Sequence, residues 1–241
     1  MIDIKFVKTR IFYTLLTLLY LSSFLLSIIG YTMERLLTYI IFKSFVVPSI
    51  MAYTYLSWAG PRNKEYILLQ LALLFALVGD IILALPRTHS ALLFLGGWSF
   101  FFQHIFYIWL NLATRNVKNS LWKTPYWGLP TIAYVILFSI SYWARGDVSD
   151  RIQYGVYSFI LGTSFYTCFY RETKTKASYI LGIIGFTFFV ISDVILLLDT
   201  LVVSMTRLQA SMLLVTYYIA QGLICQSHIL ESKAMNSQIL T

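Results

Sequence analysis

Eight stretches of this chain stay apolar for the length that a lipid bilayer demands, and nothing else in the sequence restricts its fold so severely. A hydrocarbon core of about 30 Å takes roughly 20 apolar residues of helix. Windows of that kind fall at about 11–30, 36–57, 66–85, 91–112, 126–143, 152–170, 179–200 and 208–229. Short polar segments rich in turn residues separate them, such as Gly60-Pro-Arg-Asn-Lys-Glu65 and Pro86-Arg-Thr-His-Ser90. The fifth window is the least regular, with Pro125 and Pro130 in its first turns, where proline is tolerated. The expectation is an all-α, polytopic membrane bundle of eight helices, one integral membrane domain over residues 1–241. Lys5, Lys8 and Arg10 before the first window imitate a signal peptide. The run from Ile11 to Gly30 is too long for one and offers no small-x-small cleavage site, so an uncleaved span is expected.

Composition removes the main alternatives. With 59% hydrophobic and 12% charged residues, a chain of 241 residues has more apolar surface than a soluble domain hides. A net charge of +8 would suggest nucleic acid in a soluble protein. Here the basic residues sit mostly in short loops, where orientation and anionic headgroups account for them, and no nucleic-acid partner is expected. Twelve of the 18 Lys and Arg lie at the two termini and in the second, fourth and sixth loops, and five lie in the others. The positive-inside rule then puts both termini in the cytoplasm. Cys168 and Cys225 fall inside apolar windows and read as small buried hydrophobes, not as a disulfide or metal site.

Against this background two acids stand out. Asp80 lies within Leu74-Phe-Ala-Leu-Val-Gly-Asp-Ile-Ile-Leu-Ala-Leu85, and Asp193 within Phe188-Phe-Val-Ile-Ser-Asp-Val-Ile-Leu-Leu-Leu198. A carboxylate in such a run costs several kcal/mol unless it is paired, neutral or facing a wet cavity. Each either accepts a hydrogen bond between helices or forms part of an acid pair with a chemical task. Counted from Tyr66 and Tyr179, both lie 14 residues into their windows, about 21 Å along the helix. Lys43, seven residues into the oppositely directed second window, falls near that depth, where it pairs with an acid or snorkels outward. The acids are 113 residues apart, and the same offset carries His104 onto Tyr217. An even number of helices separates the copies, so a duplication would be a parallel four-helix repeat.

The fourth window reads Trp98-Ser-Phe-Phe-Phe-Gln-His-Ile-Phe-Tyr107, which puts His104 and Tyr107 on one helix face. Tyr218 and Gln221 repeat that spacing in Tyr217-Tyr-Ile-Ala-Gln-Gly222. A lone intrahelical His is more often a structural donor, and buried acids nearby raise its claim to a catalytic role. A metal site fits poorly, since His89 is in a loop and His228 at a helix end, leaving His104 as the one mid-window imidazole. No Gly-x-Ser-x-Gly elbow, Walker loop or Cys-x-x-Cys occurs.

The set of Gly79-Asp80, His104-x-x-Tyr107, Ser192-Asp193 and Tyr217-Tyr218-x-x-Gln221, in that order and helix placement, resembles the YhhN family of eight-span membrane lysoplasmalogenases. The likeness runs from about Lys43 to Gln221, with one departure. The family has Lys closely followed by Pro in its second span, whereas here Lys43 and Pro48 stand further apart. The resemblance implies hydrolysis of the vinyl ether in 1-alkenyl lysophospholipids, giving a fatty aldehyde and glycerophosphoethanolamine or glycerophosphocholine. Its partners would be lysophospholipid, water and the bilayer, with no cofactor. Asp80 and Asp193 would be the catalytic acid and carboxylate, in either order, lining a common cavity. Lys43 would hold a phosphate or a carboxylate, and His104, Tyr107, Ser192, Tyr217, Tyr218 and Gln221 would support them.

The residues suit that chemistry on independent grounds. Protonation of the outer alkene carbon leaves an oxocarbenium ion for water to capture, so one carboxyl must hold a proton while another carries charge. The principal alternative is a proton-coupled transporter, which also has intramembrane acids, an internal repeat and a midplane His. Against it, the third and seventh windows lack the Pro that breaks transporter helices. A retinal-type bundle would carry its Lys in a late span, and a metal-dependent lipid hydrolase such as an alkaline ceramidase would need more His.

Overall fold

The computed structural model describes residues 4–85, 90–114, 128–143, 148–201 and 205–239. Eight helices follow one another: α1 (Ile4–Thr32), α2 (Leu36–Ser57), α3 (Lys64–Ala84), α4 (Ser90–Ala113), α5 (Gly128–Trp143), α6 (Val148–Cys168), α7 (Lys176–Leu201) and α8 (Arg207–Ile239). Each expected window has its helix. The ends differ, most of all at α1 and α8, which run several residues beyond the apolar limits into polar sequence. Pro130 sits in the first turn of α5, while Pro125 and His89 lie outside the described residues.

Local chemistry explains several boundaries. Asn63 starts α3 by accepting the Tyr66 amide on its side chain at 3.1 Å. Pro48 lies inside α2 without ending it, and the next hydroxyl, Ser49, donates to the Phe45 carbonyl at 2.6 Å. Between α1 and α2 the chain reverses through Glu34, whose φ is +57°. Gly30 permits the close return, because a Cβ there would stand 2.6 Å from the Tyr39 nitrogen.

The strongest packing joins α1 to α2, α3 to α4 and α7 to α8. Contacts of α2 with α3, α4 with α6, α6 with α7 and α8 with α1 complete a closed circuit, and α5 stands against α6 and α7. One end of the bundle gathers the basic loops: Ala59 donates to Ser232, and Glu172 to the Thr114 carbonyl. Arg171 lies buried at this end, bonded to Ser227 and against His228, and burial pulls its guanidinium down to about 10. At the opposite end Arg207 pairs with Glu34 at 2.7 Å.

The pattern of burial is that of a protein in lipid. Leu15, Leu18, Leu37, Ile132, Val135 and Trp143 are exposed, whereas Lys43, Asp80, Gln103, His104, Asn111 and Asp193 are buried. Among the described residues, α1, α2, α3, α7 and α8 are long and apolar enough to cross a membrane. In α5 the apolar helix is shorter, and α4 and α6 direct Gln103, His104, Ser164 and Thr167 to the interior. This is a multi-pass membrane protein.

Candidate active site

Asp80 is 1% exposed and has two partners. Lys43 from α2 brings its Nζ to 3.4 Å from Oδ1, and Tyr217 from α8 donates to Oδ2 at 3.0 Å. The ammonium also donates to the Tyr39 hydroxyl at 3.2 Å, one turn earlier on α2. Lys43 is therefore turned inward onto a carboxylate and does not snorkel. Gly79 makes room for this arrangement: a Cβ there would meet the Phe100 ring at 2.8 Å, and Phe100 packs edge-on against Tyr217.

Asp193 on α7 has a different company. Tyr157 from α6 donates to its Oδ2 at 2.8 Å, and His104 Nε2 from α4 lies 3.5 Å from the same oxygen. The other side of the imidazole decides the protons. Ser164 donates its hydroxyl hydrogen to the Leu161 carbonyl at 2.8 Å and lies 2.9 Å from His104 Nδ1. With that hydrogen committed, Nδ1 must be the donor to Ser164. Nε2 then faces Asp193 across 3.5 Å without a hydrogen bond of its own, close enough for the two groups to exchange a proton, whereas Asp80 sits against the Lys43 ammonium.

The two centres follow one plan. Each acid takes one partner from the helix before it, Lys43 for Asp80 and Tyr157 for Asp193. Each takes its second from the fourth helix of the other half, Tyr217 for Asp80 and His104 for Asp193. Phe189, one turn before Asp193, touches both, with ring centroids 4.7 Å from His104 and 5.6 Å from Tyr217.

Two expected residues bridge helices nearby without touching an acid: Tyr107 donates to Gln221 Oε1 at 2.7 Å and accepts from Gln103 at 3.4 Å. Two others point elsewhere. Ser192 donates to the Leu213 carbonyl and ties α7 to α8. Tyr218 faces α1, where Ser27 donates to its hydroxyl and Phe24 packs edge-on. The sequence reading missed Tyr157, Tyr39 and Ser164. The repeat did not single out the first, since Lys43 plus 113 falls on Val156, one residue short of Tyr157.

A cavity of about 270 Å³ reaches Tyr157, the donor to Asp193, and is lined besides by Leu83, Phe94, Gly97, Trp98 and Phe100 among others. Its wall is apolar apart from a few groups, and one of these, Tyr157, bonds Asp193. Neither Asp80 nor Asp193 lines it, so the common cavity expected for both acids is not what this space provides. Among the described residues no group of three or more His, Cys, Asp or Glu could hold a metal ion.

No curated protein and no solved structure matches the chain. The model of the YhhN family does, over residues 38–228, a range that takes in both carboxylates and all four of their partners. The chain belongs to the YhhN family.

Proposed function

We propose that this protein is a lysoplasmalogenase, hydrolysing the vinyl ether of 1-alkenyl lysophospholipids. The observation that carries the reading is the apolar cavity whose wall includes Tyr157, the donor to Asp193. A hydrocarbon chain fits such a wall, and a proton held between Asp193 and His104 stands just behind it. Asp193 is then the acid: it gives a proton to the outer alkene carbon, using the π electrons for the new C–H bond. Asp80, held as a carboxylate by Lys43, supplies the standing negative charge. Water adds to the cationic carbon and returns one proton to a carboxylate. The hemiacetal then breaks its bond to the glycerol oxygen, which takes up the hydroxyl proton as the aldehyde forms. Atoms balance with one water consumed and no cofactor.

The same reading places the basic end and both termini in the cytoplasm. The substrates are lysoplasmenylethanolamine and lysoplasmenylcholine, drawn from the bilayer. A proton-coupled carrier would also use buried acid pairs, and one assay separates the two. Purified, chelator-treated protein in detergent is given alkenyl lysophospholipid and free aldehyde is measured. The enzyme releases aldehyde, and Asp193→Asn lowers the rate by about 10²–10⁴-fold, the usual weight of one general acid. No aldehyde from folded wild-type protein would overturn the reading in favour of transport.

A further inference from the structure

Hydrolysis consumes water, and a hydrocarbon chain in the cavity excludes water from the Tyr157 side. A second side of the site carries polar atoms with nothing to bond. Nine buried side-chain nitrogens and oxygens among the described residues lack a hydrogen-bond partner, and five of them belong to Gln103, Asn111, Arg171, Gln221 and His228. These five side chains are all less than 5% exposed. A sixth atom is His104 Nε2, the nitrogen that faces Asp193.

Their positions form a line from the site toward the basic end. Gln103 and Gln221 flank Tyr107 near His104. Asn111 lies seven residues beyond His104 on α4, about 10 Å along the axis. Its amide nitrogen donates to the Ser164 carbonyl and to Thr167 Oγ1, and its oxygen is left free. One turn further, Thr114 accepts from Glu172 at the bundle's end, and Arg171 and His228 touch at 3.3 Å there. Each of these groups uses part of its bonding capacity on the protein and leaves the rest unmet. A scattered orphan is a defect; five along one line share a remedy, because a buried water takes about three polar partners and binds where such groups converge.

We infer that a file of buried water enters at the basic end between α4, α6 and α8, passes Asn111 and Thr167, and reaches Tyr107 and His104. Lipid and water then meet the acid from opposite sides. The file resupplies the water that adds to the cationic carbon, and that water's proton returns to the carboxylate. That last step rests on the lysoplasmalogenase reading, whereas the file itself does not.

Hydroxyl-radical footprinting of the whole protein in detergent, in ¹⁸O-labelled water with detection by mass spectrometry, tests the file without reference to activity. Bound water delivers label to side chains that bulk solvent does not reach, so Tyr107 is expected to take up ¹⁸O although it is fully buried. Asn111→Leu blocks the line and reduces Tyr107 labelling to background, while Asn111→Ser keeps it. Thr167→Val keeps the side-chain shape and serves if Asn111→Leu does not fold. An unlabelled Tyr107 in the wild type overturns the inference. Labelling that persists in Asn111→Leu and Thr167→Val overturns entry from this end. Aldehyde assays on the same samples separate the two readings. Lower kcat with unchanged KM in the blocked variants supports both, while gated labelling without any aldehyde leaves the file standing and removes the hydrolase.

Discussion

Removing the carboxylate of Asp80 strands an ammonium inside the protein, which makes Asp80→Asn a harsher change than its small volume suggests. Lys43 Nζ stands 3.4 Å from Oδ1, both side chains are buried, and the Tyr39 hydroxyl is the ammonium's other polar contact. At that distance the attraction is about 5 kcal/mol with an effective dielectric constant near 20. Breaking a buried pair from one side costs about 3–5 kcal/mol. For a chain of this size that lowers Tm by roughly 10 °C. Lys43→Met alone is also destabilising, because Asp80 loses its counter-ion and keeps only Tyr217. The double variant Lys43→Met, Asp80→Asn removes both charges and lets the Asn oxygen accept from Tyr217. Its stability returns to within about 1–2 kcal/mol of wild type, so the pair shows a coupling energy well above that of independent sites. Thermal unfolding of the four purified proteins measures it. On the proposed chemistry the double variant is also stable and without aldehyde release, which separates Asp80's chemical part from its structural one. Single variants as stable as wild type, with additive effects, would refute the ion-pair argument.

Other consequences are simpler to state. Tyr157→Phe removes the 2.8 Å donor to Asp193 and lowers aldehyde turnover by about tenfold, with an altered pH–rate profile and a Tm lower by only a few degrees, since the ring remains in place. Gly97 lines the cavity, and a Cβ there meets nothing within 4 Å, so Gly97→Leu folds normally and raises KM more for long alkenyl chains than for short ones. At Gly182 a Cβ would run into the Arg171 guanidinium, so Gly182→Ala shifts this buried side chain against its bond to Ser227 and lowers Tm by a degree or a few, about 1 kcal/mol, read by thermal unfolding.

The helices were legible because a bilayer imposes a length on each of them, but that signal covers only the lipid slab. It cannot find the end of α8, which continues through Ser232, Lys233 and Asn236 after the apolar window stops. The acids were legible for a related reason, as charges too costly to be accidental in such a run. Which neighbours attend them was less so, and adjacency misled. Consecutive residues on a helix point about 100° apart. Ser192 and Tyr218 sit beside Asp193 and Tyr217 in sequence, and for that reason they turn to Leu213 and α1. Tyr157 was hidden for the opposite cause: it is one of 18 tyrosines, with no acid near it in sequence.

The two acids sit in like settings and differ in the residues that attend them. In both halves the third helix takes one partner from the second helix of its own half and one from the fourth helix of the other. Neither half could bury its acid alone, since each would lose the side chain that its partner half provides. Within this common plan only the attending residues change. From the helix before it Asp80 takes Lys43, and Asp193 takes Tyr157, one residue past the place that the 113-residue offset assigns; the crossing residue is Tyr217 for the first and His104 for the second. Lysine and tyrosine put an ammonium and a hydroxyl on Asp80, whereas tyrosine and histidine attend Asp193. On the proposed chemistry the first arrangement holds a charge and the second carries a proton. On that chemistry, these differences between the attending residues divide the two acids into a standing charge and a proton donor, the pairing that vinyl ether hydrolysis requires.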